Sequence, residues 1–133
     1  ITRSTGRLVA KVRDLKERYP AIMDSILESS EKIIEEAVKA LKSGDLETLG
    51  ELMNIDQGLL SAVSVSHSML EKLIYKARDA GAYGAKLTGA GGGGCMIALA
   101  PQEKVGDVVK AVREAGAEAF TARKTEEGVR IEG

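Results

Sequence analysis

Between residues 89 and 94 the chain places five glycines in six positions, Gly89-Ala90-Gly91-Gly92-Gly93-Gly94, and then enters the apolar run Cys95-Met96-Ile97-Ala98-Leu99-Ala100. Glycine loses more backbone freedom on folding than any other residue, roughly 0.5–1 kcal/mol relative to alanine in regular structure. Such a segment is kept where bare backbone is needed: a left-handed path, a closely packed neighbour, or amide groups aimed at an anion. As a string it satisfies the dinucleotide pattern G-x-G-x-x-G, but that pattern must close a strand and open a helix, and here a β-like apolar run follows. A Walker-type loop is excluded as well, because no Lys-Ser or Lys-Thr follows the last glycine. What remains is a glycine segment joining a short strand, Ala85 to Thr88, to a longer one, Cys95 to Ala100. On spacing alone two readings stay open. One is a strand connection with no ligand; the other is a backbone surface that approaches a phosphate or supports another loop that does.

Upstream, the chain reads as helices. Leu8, Val9, Val12 and Leu15 recur at helical spacing until Tyr19-Pro20, and proline suits a first helical turn. Ile22, Met23, Ile26, Leu27, Ile33, Ile34, Ala37, Val38 and Leu41 trace the next apolar stripe, which Ser43-Gly44 ends. Asp45 is positioned to cap a third helix carrying Leu46, Leu49, Leu52, Met53, Leu59, Leu60 and Val63. Ser68 and Glu71 have capping-box spacing ahead of Leu73, Ile74 and Ala77, with Gly81 as the C-cap. These stripes are read as core. Beyond the glycines, a helix is expected from about Gln102 to Ala115, ended by Gly116. Ala117 to Arg123 and Val129 to Glu132 then form a hairpin around Glu126-Glu127-Gly128. The sum is an α+β chain, a helical layer packed on a small, mainly antiparallel sheet.

At 133 residues one domain is expected, and 44% hydrophobic residues suffice for its core. A formal net charge of −1 and only four aromatic residues, Tyr19, Tyr75, Tyr83 and Phe120, argue against a nucleic-acid surface. No apolar run approaches the ~20 residues of a membrane span, and no signal peptide opens the chain. Cys95 is the only cysteine, which points to a reducing, cytoplasmic setting, and it reads as a small buried strand residue rather than a reactive thiol. His67 is the only histidine, so no imidazole–thiolate metal cluster is expected. The opening Ile1-Thr2-Arg3 suggests a piece of a longer polypeptide. Abundant Glu and Lys beside only two glutamines, Gln57 and Gln102, hint at a heat-tolerant source.

Lys86-Leu87-Thr88-Gly89-Ala90-Gly91-Gly92-Gly93-Gly94-Cys95 resembles the third conserved motif of the GHMP kinases, in the form typical of mevalonate kinases of archaeal type. Two further segments carry the likeness. Arg3-Ser4-Thr5-Gly6-Arg7-Leu8-Val9 resembles the Arg-x-Thr-x-x-Leu-Val segment that opens the C-terminal half of those enzymes. Met53-Asn54-Ile55-Asp56-Gln57-Gly58-Leu59-Leu60, followed by Val65-Ser66-His67, resembles their Met-x-x-Asn-Gln…Leu-x-Val-(Ser/Gly)-His region. Order and spacing agree from residue 3 to residue 95. Asp56 departs from the more familiar Asn, and Ser64 stands where Gly is common.

The resemblance implies a ferredoxin-like C-terminal domain over residues 1–133, with the ATP-binding N-terminal lobe of the same enzyme outside this chain. It implies transfer of the ATP γ-phosphoryl group to the 5-hydroxyl of mevalonate, with Mg²⁺, in isoprenoid biosynthesis. The main phosphate loop, the Mg²⁺ ligand and the catalytic residues would lie on the other lobe, so no catalytic or metal residue is expected here and this half alone should be inactive. By the same analogy Thr5 and Ala90 line the mevalonate pocket, Arg3 pairs with its carboxylate, and Gly89, Gly91, Gly92, Gly93 and Gly94 support the phosphate site. Each role has a plainer alternative. Thr5 could simply cap the helix at Arg7, Arg3 could lie in solvent, and His67 could be structural rather than a substrate contact. An interior Asp56 would need a polar partner, for which Lys86 or Ser66 are candidates.

Mevalonate and ATP are the implied small-molecule partners; no nucleic acid or membrane partner is implied, and a homodimer stays open. Two competing functions remain. One is another GHMP kinase acting on phosphomevalonate, homoserine or a sugar. The other is a non-catalytic α+β binding module, which would bind its ligand tightly as an isolated chain.

Overall fold

Pro20 divides the N-terminal helical region in two. Its ring cannot continue the preceding helix, yet its fixed φ suits the first turn of a new one. The computed structural model accordingly has α1 over Thr5–Arg18 and α2 over Pro20–Ser43, with Pro20 at the first helical position. It describes the backbone of residues 5–88, 95–119, 121–125 and 128–132, and the side chains of 6–88, 95–119 and 121. Three more α-helices follow, α3 (Leu46–Ala62), α4 (Ser68–Asp79) and α5 (Val105–Glu114). The strands are β1 (Gly84–Thr88), β2 (Cys95–Leu99), β3 (Thr121–Thr125) and β4 (Gly128–Glu132).

Four helices end in the same way. Gly44, Gly81 and Gly116 adopt φ of 74°, 117° and 96° at the ends of α2, α4 and α5. In each case the left-handed residue and its successor donate back to the last turn, as in Gly81 N to Arg78 O and Ala82 N to Ala77 O, both at 3.1 Å. The α3 terminus makes the same pair of bonds, Ser64 N to Ser61 O and Val65 N to Leu60 O. Here a serine holds the left-handed position, with φ 68°. That conformation explains why glycine would be the easier residue at 64.

The core gathers where α4 and α5 cover the β1–β2 ladder. Leu70, Leu73, Ile74 and Ala77 form one face of α4 at i, i+3, i+4, i+7 spacing and pack with Ala85, Leu87, Val108 and Val112. Burying each large aliphatic side chain contributes about 1.5–3 kcal/mol. The strands pair β1 with β2 and β3 with β4, both antiparallel, and no pairing joins the two ladders among the described residues. In β1–β2 the register sets Gly84 opposite Leu99, Lys86 opposite Ile97 and Thr88 opposite Cys95, so the two residues that flank positions 89–94 in sequence face each other.

Several expectations need correction. The α2 stripe is not core: only Met23 and Ala40 are buried, while Ile22, Leu27, Ile34, Val38 and Leu41 are exposed. Among the described residues α2 packs chiefly along α3 and α1, which leaves these five side chains exposed. Cys95 is exposed rather than buried, because it opens β2 on the ladder face that also leaves Ile97 outward. The helix expected from Gln102 begins as a 3₁₀ turn over Gln102–Lys104 before α5 proper, and the first strand of the last hairpin starts at Thr121 rather than Ala117.

Candidate functional site around the root of the glycine segment

The strand that leads into the glycines is built against α3 by close backbone contact. A Cβ placed on Gly84 would meet the Gly50 carbonyl, with the carbonyl carbon only 2.6 Å away, and a Cβ on Gly50 would run into Tyr83. Two side chains would hold these elements apart. Their absence lets the next turns of α3 reach the outer edge of β1.

That edge needs partners, because its amides and carbonyls point away from β2. Two α3 amides one turn apart supply them. Asn54 Nδ2 donates to Tyr83 O at 3.2 Å, and its Oδ1 accepts from Ala85 N at 3.0 Å. Gln57 Oε1 accepts from Leu87 N at 2.7 Å. Arg78 adds a third clip from α4, its Nη2 donating to Ala85 O at 3.2 Å while its guanidinium stacks over Tyr75.

Gln57 goes further. It is 2% exposed, the one buried polar residue in the described core, and its Nε2 donates to both Ser66 Oγ and Glu71 Oε1 at 3.1 Å. One amide therefore ties the end of β1 to the turn that carries His67 and to the first turns of α4. A buried amide is tolerable only when its groups are paired in this way.

His67, not Ser68, caps α4. Its backbone is extended, and its Nδ1 accepts from Leu70 N at 3.3 Å. Ser68 is already helical, and Glu71, expected to close a capping box, instead receives Gln57. A neutral imidazole that accepts at Nδ1 carries its proton on Nε2. The Nε2 atom is buried within the described residues.

Asp56 has the partner its interior position demands. Lys86 Nζ lies 2.9 Å from Asp56 Oδ2, and Ser30 Oγ donates to Oδ1 at 3.4 Å. Ser66, the other candidate, is taken by Gln57. The ion pair joins α2, α3 and β1 two residues before the strand ends.

Of the predicted site residues, His67 alone is described with its side chain. Thr5 is the first residue of α1 rather than the cap of a helix at Arg7, and its side chain lies outside the described residues. Arg3, Gly89, Ala90, Gly91, Gly92, Gly93 and Gly94 lie outside them as well. The structure brings His67 to the same small network as Leu87, two residues ahead of Gly89. Asn54 and Gln57 were quoted in a motif, but nothing in the sequence assigned them a task. The signal was present as two amide residues three apart on a helix opposite a strand with a free edge. Among the described residues no three His, Cys, Asp or Glu side chains converge as a metal site, and no helix is long and apolar enough to cross a membrane.

Comparison with known proteins gives this arrangement its setting. The GHMP kinases C terminal family matches residues 37–118, which hold α3, α4, β1, β2 and α5. A mevalonate kinase of Thermococcus gammatolerans is 50% identical over 135 aligned residues, covering 97% of this chain and 40% of that protein. Among solved structures, L. major mevalonate kinase in complex with R-mevalonate superposes with a TM-score of 0.79 at 33% identity, over 86% of this chain and 35% of the other. Methanococcus jannaschii mevalonate kinase does so with a TM-score of 0.70 at 32% identity, over 98% and 34%. The chain thus spans about two-fifths of the length of the curated relatives it matches. The fold, the matched family segment and the relatives agree that this chain belongs to the GHMP kinases, as their C-terminal part.

Proposed function

We propose that this chain is the C-terminal domain of a mevalonate kinase, which moves the γ-phosphoryl group of ATP to the 5-hydroxyl of mevalonate. The observation that carries the reading is likeness to mevalonate kinases along 97% of the chain, including every segment around the glycines. Phosphoryl transfer asks a protein mainly to position the two substrates and to stabilise charge on the moving oxygens. Within that division of labour this half supplies a backbone surface. Gly89, Gly91, Gly92, Gly93 and Gly94 offer amides and clearance beside the phosphate site, and Thr5, Ala90 and Arg3 line the mevalonate end. His67 fixes the start of α4. The acid–base group and the Mg²⁺ that accompanies ATP belong to the N-terminal lobe. A cytoplasmic enzyme with water-soluble substrates is the setting this reading implies.

The test joins this chain to the N-terminal part of the Thermococcus gammatolerans enzyme and measures ADP release with mevalonate, phosphomevalonate, homoserine and galactose. The reading predicts mevalonate as the preferred acceptor; preference for another acceptor moves the assignment to a sister kinase. In the same protein Ala90→Val should raise the KM for mevalonate at least tenfold and leave the melting temperature within a few degrees. An unchanged KM would remove Ala90 from the pocket.

A further inference from the structure

We infer that Gln57 is a positioning residue, one that holds the root of the glycine segment and the His67 turn in a single fixed relation. The inference rests on the kinase reading above for its catalytic consequence, and on geometry alone for the linkage. Gln57 and Asn54 sit one helical turn apart on α3 and both clip the free edge of β1. Asn54 touches β1 and its lead-in only, through Ala85 N and Tyr83 O. Gln57 spans three elements: Leu87 N on β1, Ser66 Oγ beside His67, and Glu71 Oε1 on α4.

The placement of each bond matters. Leu87 is followed by one residue, Thr88, before the glycines begin. Ser66 and Glu71 bracket His67, whose Nδ1 holds Leu70 N. A shift of β1 by about 1 Å relative to α4 breaks at least one of the three bonds, and a buried amide left half-paired resists that shift. Gln57 holds the end of β1, and it does so against the helix that His67 caps. Misplacement of about 1 Å in a phosphoryl-transfer site can cost on the order of a hundredfold in rate.

Asn54 supplies the control, since it performs the strand-clipping task without the link to α4. In the full-length protein formed with the Thermococcus gammatolerans N-terminal part, Gln57→Leu and Asn54→Leu are compared well below both melting temperatures, with folding confirmed by circular dichroism. Gln57→Leu should lower kcat at least tenfold more than Asn54→Leu, with the KM for mevalonate within threefold of the parent. The exchange Gln57→Glu with Glu71→Gln keeps an acceptor for Leu87 N and restores a donor–acceptor pair between 57 and 71. It should bring kcat back to within threefold of the parent, whereas Gln57→Glu alone should not.

Amide hydrogen exchange in the same proteins reads the linkage directly. In Gln57→Leu the Leu87 and Leu70 amides should both exchange at least tenfold faster, while Ala85, held by Asn54, stays protected. If kcat falls equally in the two leucine variants, or if Leu70 keeps its protection when Leu87 loses it, Gln57 is a core amide and the inference is overturned. Should the parent protein fail to phosphorylate mevalonate, the functional reading falls, and the exchange pattern still decides whether Gln57 couples the two elements.

Discussion

Helices α2 and α3 lie side by side and both carry many aliphatic residues, yet they bury different kinds of position. On α2, Leu27, Ile34, Val38 and Leu41 look outward, and only Met23 and Ala40 are buried. On α3 the most buried positions are Gly50 and the polar Gln57. The difference follows from what lies opposite each helix. Among the described elements α2 packs chiefly along α3 and α1, and Ile22, Leu27, Ile34, Val38 and Leu41 are left exposed. The inner face of α3 meets the bare edge of a strand, where a missing side chain gives close approach and an amide answers backbone groups. Apolar periodicity thus marks faces that can be buried. Only the neighbour determines which of them are, and whether the contact is oil or hydrogen bond.

Substitutions can break this contrast in order of expected size. Gly84→Ala should be the most damaging, costing about 3 kcal/mol by urea unfolding, because its Cβ would meet backbone that cannot move aside. A cost under 1 kcal/mol would mean that α3 and β1 are not locked at this crossing. Asp56→Ala should cost about 1 kcal/mol, since it leaves Lys86 without its carboxylate in a pair only 19–24% exposed. Lys86→Met in the Asp56→Ala background should then cost almost nothing more, and a second full penalty would show that the two do not interact.

The Asp45 cap should give a smaller, pH-dependent effect. Thr48 Oγ1 donates to Oδ2 at 2.7 Å and Thr48 N to Oδ1 at 3.1 Å, and these bonds hold the carboxyl below the usual carboxylate range. A depressed folded value means the cap contributes fully above the ordinary aspartate pKa and loses its contribution as pH falls through the folded value. Asp45→Ala should therefore lower the melting temperature at pH 7 and change it progressively less in acid. A penalty independent of pH would remove the charge from the account. Smallest of all, Ile34→Ser on the outer face of α2 should change the stability of this chain by no more than about 0.5 kcal/mol. A loss of several kcal/mol would show that face to be packed.

Much of the fold was legible because punctuation residues have local causes. Pro20 opens α2, Asp45 caps α3, and Gly44, Gly81 and Gly116 end their helices in the left-handed conformation they favour. The Asp56–Lys86 pair was also within reach, since an interior charge demands a partner and few were available. The cap of α4 was misplaced by one residue because the Ser68–Glu71 spacing fits a capping box, whereas His67 offers an imidazole nitrogen at the same turn. The outward face of α2 was misread because periodicity carries no information on what packs against it. The task of Gln57 depends on three elements separated by up to 30 residues in sequence, a juxtaposition no local pattern encodes. Arg3, Thr5 and Ala90 were assigned to a substrate pocket by likeness to a family rather than from spacing, and their side chains lie outside the described residues.

The most direct measurement is mevalonate-dependent ADP release by this 133-residue chain alone and by the same chain joined to the N-terminal part of the Thermococcus gammatolerans enzyme. The account predicts no turnover and weak ATP binding from the chain alone, with full mevalonate-dependent turnover once joined. Turnover by the chain alone would place the chemistry on this half and contradict the assignment of catalytic groups to the other lobe. Silence in both forms, with tight binding of some ligand by the isolated chain, would make it a binding module instead.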